Sequence, residues 1–315
     1  MLPAPSRRDV LQLLMAGTAG FALPRRAHAQ EHSVASHHTP LTVSRLSESL
    51  SLVSGGGGNV LVVSGPDGLV LVNGGSQERS TELLKTIADQ SGGRRVLTLF
   101  NTDWHPDHTG SNETLGRSGA QIIAHENTKQ YLANELFVEW EKRTYKARSK
   151  ESLPTRTFLT SGTMTVGNEP LKYGHLGQAH TDGDIYVYLQ SSNVLMTGDV
   201  MTVGRYPIAD YTTGGWLGGM VTATKTLLDL SNADTRIVPG SGPVQTRADL
   251  QAQFDMLSAM RERLAKMMRQ GMGREDMLAA GATKEFDGKW GDPILFVTTS
   301  YRGLWLHVRE LGGIV

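Results

Sequence analysis

The chain has 315 residues with 31 Lys+Arg against 31 Asp+Glu, so its formal net charge is zero. That balance excludes a strongly basic chain, so nothing in it argues for binding to nucleic acid or to an anionic membrane surface. Cysteine is absent, which excludes disulfides and thiolate metal sites and leaves His, Asp, Glu and water as the ligands on offer.

In chain order, Ser6-Arg-Arg-Asp-Val-Leu-Gln-Leu-Leu14 is a twin arginine followed by an apolar run. The run continues with small residues to Leu23, and Ala27-His-Ala29 is a small-x-small cleavage site. Residues 1–29 therefore read as a twin-arginine export signal cut after Ala29. The expected partner is the export machinery, and the expected location is the periplasm. The stretch is too short and too rich in Gly and Ala for a stable membrane anchor. Residues 30–40, with His32, His37 and His38, read as a flexible arm. Residues 41–250 are expected to form the main domain. Residues 251–315 are expected to form a helical extension packed on it.

Val60–Val63 and Leu69–Val72 are short β-rich runs separated by the turn signal Gly65-Pro-Asp-Gly68. Ser80–Asp89 has helical spacing, with Leu83, Leu84 and Ile87 on one side. Val96–Phe100 reads as a buried strand. A helical stretch around Thr114–Leu115 stops at the glycines 116 and 119. Residues 121–124 form the next strand, ending at His125. Residues 126–148 mix charged and apolar groups and predict an exposed helix. Strands are expected near 163–166, 185–189 and 194–197. Helices are expected over 222–230 and 247–269, and an amphipathic segment over 294–311.

The most informative segment follows the strand at Phe100: Asn101-Thr-Asp-Trp-His-Pro-Asp-His-Thr-Gly110. Asp103, His105, Asp107 and His108 are four potential ligands within six residues. In an extended loop, alternation places Asp103, His105 and Asp107 on one side, and a local turn lets His108 join them. Imidazole with carboxylate suits zinc, and also iron or manganese.

This D-x-H-x-D-H segment resembles the H-x-H-x-D-H signature of the metallo-β-lactamase superfamily, with Asp103 at the first His position. Other segments are similar in the same order. Residues 57–63 and 68–75 resemble the opening hairpin, with Asn73 where the family has Asp. Ala179-His-Thr-Asp-Gly-Asp184 resembles the segment of the third His, at His180. Leu195-Met-Thr-Gly-Asp199 resembles the strand end with the bridging Asp. Pro239-Gly-Ser-Gly-Pro243 resembles the last ligand loop, with Ser241 in place of His.

The resemblance implies an α/β fold, the αββα four-layer sandwich of two β-sheets flanked by helices. It also implies a first metal site of Asp103, His105 and His180, with Asp199 as bridge or fourth ligand. The second site would take Asp107, His108 and Asp199, with Ser241 in place of a stronger ligand. A neutral hydroxyl is a poor zinc ligand, so a weak, water-completed or absent second metal is expected. The added carboxylate at Asp103 makes the first site more anionic, and Asn73 lies near it.

The implied activity is metal-assisted hydrolysis of a small-molecule ester, lactone, lactam, thioester or phosphoester. Asp107 is the expected catalytic group, orienting the nucleophile or acting as base. Tyr206, Asp210, Tyr211 and Trp216 are expected to flank the substrate cleft. Trp104 reads as a packing anchor, His125 as structural, and His175 and His307 as bystanders. Two other readings exist. His105, His180 and a carboxylate make the facial set of a non-haem iron enzyme such as a sulfur dioxygenase. Alternatively, the substitutions at Asn73, Asp103 and Ser241 mark a degenerate metal-binding periplasmic protein.

Overall fold

The computed structural model describes residues 40–311; the proposed export signal and nearly all of the arm lie outside the described residues. Two sheets dominate. The first takes β1 (Thr42–Arg45), β2 (Leu50–Ser54), β3 (Val60–Ser64), β4 (Leu69–Val72), β5 (Val96–Phe100) and β6 (Gln121–His125) in that spatial order. A separate hairpin of β7 (Leu136–Val138) and β8 (Arg143–Tyr145) precedes β9 (Arg156–Phe158), which closes the first sheet beside β6. The second sheet runs β10 (Ser161–Val166), β11 (Glu169–His175), β12 (Ile185–Leu189), β13 (Val194–Gly198) and β14 (Arg236–Pro239). Pairing is antiparallel from β1 to β4 and from β10 to β13. It turns parallel at β4–β5–β6–β9 and at β13–β14.

Strand alternation builds the layers. Leu61, Val63, Val70 and Val72 face the second sheet and meet Leu171, Val187, Val194 and Met196. Their neighbours Val60, Val62, Leu69 and Leu71 face outward. There they are covered by Leu83 and Ile87 of α1 (Ser80–Ser91), and by Leu115. Burial on both faces is why these strands read as unbroken apolar runs rather than as alternation.

Next along the chain come α2 (Pro106–Thr109), α3 (Asn112–Arg117, which carries Leu115), α4 (Glu126–Ala133), α5 (Leu217–Leu230) and α6 (Arg247–Arg269). Helices α5 and α6 cover the outer face of the second sheet. Leu217, Met220, Leu227, Leu250, Leu257 and Leu264 pack there on Tyr186, Leu195 and Ile237. The result is the four-layer αββα sandwich. A capping box starts α6, with Thr246 and Asp249 bonding each other's main chain. This helix crosses residue 250 without a break, and Met277, Trp290, Phe296 and Leu304 beyond it join the same core.

Three local expectations change. Residues 126–148 are not one helix: α4 stops at Ala133 and the β7–β8 hairpin follows, with Lys142 at φ 53°. The apolar groups of this stretch are spent on Trp104, around which Leu132, Val138, Tyr131, Leu136, Trp140 and Tyr145 gather. A solvent-exposed helix does not supply that enclosure. The helix expected over 222–230 begins at Leu217, with Gly218 and Gly219 inside its first turn. A Cβ on Gly219 would run into the Gln178 carbonyl, so its absence lets α5 press directly on the loop that carries His180. The amphipathic segment near the C-terminus divides into an α-helix over Ile294–Leu306 and a 3-10 turn over Val308–Leu311.

Candidate metal centre

All the candidate ligands leave the C-terminal ends of strands or the loops beside them, the usual place for ligands in such sheets. Asn73 follows β4, the 101–109 segment follows β5, His180 lies between β11 and β12, Asp199 follows β13, and Gly240 and Ser241 follow β14.

The ligand segment is not extended throughout. Pro106 starts the single helical turn α2, as proline's fixed φ favours. That turn overrides the expected alternation and divides the ligands into two groups. Asp103 and His105 meet His180, while Asp107 and His108 meet Asp199. The segment is held firmly. Thr109 Oγ1 donates to the His105 carbonyl at 3.0 Å. Asn101 and Asn112 exchange side-chain amide bonds of 3.0 and 2.8 Å, and Asn101 also donates to the His108 carbonyl. Trp104 is buried and stacks on the His105 ring at 4.1 Å, a packing anchor rather than a substrate contact.

In the first group, His105 Nδ1 lies 3.0 Å from Asp103 Oδ1 and 3.3 Å from His180 Nε2. His180 Nδ1 donates to the Ile208 carbonyl at 2.8 Å, which leaves the Nε2 lone pair aimed into the group. In the second group, His108 Nε2 is 3.4 Å from Asp199 Oδ1 and 3.9 Å from Asp107 Oδ2. Asp199 lies between the two groups, its Oδ2 being 3.8 Å from His180 Nε2.

The first group fits a metal ion. A tetrahedral zinc with bonds near 2.0–2.1 Å keeps its donors roughly 3.4 Å apart, close to the spacings seen. Asp103 Oδ2, His105 Nε2 and His108 Nε2 are buried without a hydrogen-bond partner. Such orphaned atoms are uncommon in a finished fold and are ones that a cation or a proton would satisfy.

The electrostatics describe a cluster poised between protons and metal. Burial would raise Asp103, but His108 and His105 beside it hold its carboxyl at about 2. Burial would lower His105, but its bond to Asp103 and the surrounding carboxylates carry it to about 9. His108 is likewise desolvated, yet Asp103, Asp107 and Asp199 raise it well above the ordinary imidazole range. Asp199 is penalised by burial but held well below the usual carboxylate range by His108 and His180. Asp107 goes the other way: burial, reinforced by the charges of Asp199 and Asp103, pushes it up. A metal ion among these side chains would offset the same carboxylate charge.

Three expected cleft residues belong elsewhere. Tyr206 is buried, stacks on Phe296 at 4.8 Å and donates to Asp287 at 2.9 Å, so it is part of the helical layer. Trp216 is buried in the same layer and stacks on His307 at 4.3 Å. Asp210 is fully buried and accepts from Trp140 Nε1 and from Thr212 and Thr213, with its Oδ2 4.0 Å from His105 Nε2. It backs His105 rather than facing substrate. Aromatic residues in a glycine-rich loop look alike in sequence whether they line a cleft or seat a helix. Tyr211 keeps a partly exposed position near Arg302. His125 and His175 stack on each other at 3.8 Å and belong to neither ligand group. Ser241 accepts from Arg205 Nη2 at 3.3 Å.

Several positioning residues escaped the sequence reading. Asp184, inside the Ala179–Asp184 motif, is buried and accepts from the Thr181 N–H and hydroxyl; burial raises it to about 7. Thr102, Asn101 and Asn112 carry no chemical signature in sequence. Only their convergence in space shows that they hold the ligand segment.

Comparison with known proteins agrees with this architecture. Residues 53–242 match the family model of the metallo-beta-lactamase superfamily. The chain belongs to the metallo-beta-lactamase superfamily. A type 2 metallo-beta-lactamase of Bacillus cereus is 25% identical over 199 residues, covering 63% of this chain and 72% of that protein. One from Bacteroides fragilis is 27% identical over 141 residues, covering 43% and 51%. Among solved structures, a metallo-beta-lactamase from Pontibacter korlensis superposes with a TM-score of 0.59 at 23% identity, covering 70% of this chain and 99% of that one. A double mutant of the sec-alkyl sulfatase PisA1 superposes with a TM-score of 0.64 at 16% identity, covering 83% of this chain and 50% of that one. The structural likenesses speak for the fold alone. Both candidate ligand groups of this superfamily member lie inside the matched segment.

Proposed function

We propose that the protein is a metal-dependent hydrolase of small molecules, with Asp103, His105 and His180 as the ligands of its principal metal and zinc as the metal. The supporting observation is the convergence of these three side chains, with orphaned buried atoms, beside the half-buried carboxylates of Asp107 and Asp199. When bound, such an ion supplies Lewis acidity and an acidified water. The chain's own residues do the rest. Asp107 points into the cluster, with part of its side chain open to solvent. It orients the attacking water and accepts its proton. Asp199 holds the boundary between the ligand groups. His180 is kept in the ligating tautomer by the Ile208 carbonyl.

The substrate class proposed is an ester, lactone, lactam, thioester or phosphoester. The twin arginine and the Ala27-His-Ala29 site support an exported, periplasmic protein that meets the export machinery once.

Complete removal of metal with a chelator is expected to abolish hydrolysis of whichever substrate in such a panel is turned over, and one equivalent of zinc to restore it. Hydrolysis that persists at full rate in verified metal-free protein would overturn this function. A second reading has its own observation: Asp103, His105 and His180 are two histidines and one carboxylate, the set that non-haem iron enzymes use. Iron, rather than zinc, in protein isolated without added metal would favour it.

A further inference from the structure

We infer that Asn73 keeps the ring proton of His108 on Nε2, so that His108 turns a proton rather than a lone pair toward the carboxylates and the second metal position is closed. The inference rests on the metal-hydrolase reading above and concerns how many ions that site takes.

Donors and acceptors around Asn73 decide the tautomer of His108. Asn73 is completely buried just beyond β4. Its Oδ1 accepts from the Thr102 main-chain N–H at 2.9 Å and from the Thr102 hydroxyl at 3.0 Å. A main-chain N–H can only donate, so the amide cannot be turned over without setting donor against donor. Nδ2 is thereby aimed at His108 Nδ1, 2.6 Å away. An amide nitrogen also only donates, so His108 Nδ1 must be the acceptor. The proton of the neutral ring then sits on Nε2. Nε2 faces Asp199 Oδ1 at 3.4 Å, Asp103 Oδ2 at 3.5 Å and Asp107 Oδ2 at 3.9 Å, three oxygens that favour a proton there.

Metal binding through His108 Nε2 requires the opposite tautomer. The proton would move to Nδ1 and meet the Asn73 amide head-on. Turning the amide only transfers the conflict to the Thr102 N–H. Either way one buried donor is left unpaired, which corresponds to about 5- to 150-fold in affinity. His180 shows the contrast: its Nδ1 faces a carbonyl oxygen, and its Nε2 is free to ligate. A second observation points the same way. Ser241, the remaining side chain at the second position, is already engaged by Arg205.

An aspartate at position 73 removes the conflict by exchanging one N–H₂ for an oxygen. One carboxylate oxygen can serve Thr102 and the other can accept from His108 Nδ1–H. Asn73 has φ 69°, a region that Asp also tolerates.

The test is ¹⁵N NMR of the imidazole nitrogens with one equivalent of zinc, together with a zinc titration of the full chain and of Asn73→Asp. In the parent, His108 is expected to show a protonated Nε2 and an unprotonated Nδ1, and zinc to saturate at one ion per chain. In Asn73→Asp the proton is expected on Nδ1, with second-ion affinity gained by about 5- to 150-fold. Two tightly held zinc ions in the parent, or His108 protonated on Nδ1 there, would overturn the inference and leave the hydrolase reading standing. No zinc bound at all would instead overturn the hydrolase reading. The parent spectrum decides the tautomer even if the variant does not fold.

Discussion

Asp107→Ala is expected to lower kcat by about 10²- to 10⁴-fold, the usual contribution of a positioned general base, with bound metal unchanged. The fold should not suffer. Asp107 sits on the single turn α2 with part of its side chain exposed, and its ionised form is opposed by burial and by the charges of Asp199 and Asp103. The linkage has a definite sign. A carboxyl raised in the folded state favours folding below its unfolded pKa, and that contribution is lost as pH rises through the folded value. The metal-free parent therefore carries a carboxyl whose ionisation its surroundings oppose, and metal-free Asp107→Ala should melt no lower than the metal-free parent. Steady-state kinetics, metal content and melting curves check this together. A kcat within twofold of the parent at equal metal content would remove Asp107 from the mechanism.

The second large effect is steric. Gly240→Ala should cost about 10²-fold or more in kcat/KM, since displacement of a catalytic or ligating group by about 1 Å has that consequence. Gly240 donates its N–H to the Gly198 carbonyl at 2.8 Å, and its own carbonyl accepts from the Asn59 N–H at 2.7 Å, so the main chain is pinned on both sides. A Cβ there would overlap Asp199 Oδ1, and would lie 2.8 Å from His108 Cε1 and 3.1 Å from the Gly198 carbonyl carbon. Because the backbone cannot retreat, Asp199 must leave its place between the two ligand groups. Zinc affinity should fall along with turnover. Parent-like kinetics in Gly240→Ala would mean that the position of Asp199 is immaterial to the reaction.

The main layers and the clustering of the candidate ligands were legible in sequence because their signals are local. Residues 60–63, 69–72 and 96–100 are apolar runs bounded by turn residues, and double-sided burial makes such runs conspicuous. Asp103, His105, Asp107 and His108 lie within six residues, and the motifs around His180 and Asp199 supplied the distant partners. What sequence could not convey was three-dimensional competition. Trp104 draws residues 131–145 into a helix and hairpin instead of one helix. Gly218 and Gly219 read as a loop, yet they allow α5 to approach the 178–180 loop. Tyr206 and Trp216 read as cleft aromatics because the helices that bury them come some 80 to 90 residues later, Asp287 and His307 among their contacts. The clearest case is Asn73. In sequence it is one atom away from aspartate, and its consequence depends on Thr102 and His108 lying on opposite sides of the same amide.

The most direct measurement is anomalous X-ray diffraction at the zinc edge from crystals of the zinc-loaded protein. An anomalous peak is expected within bonding distance, about 2.0–2.2 Å, of Asp103, His105 and His180. No peak among these three side chains, or zinc held only at other residues, would contradict it.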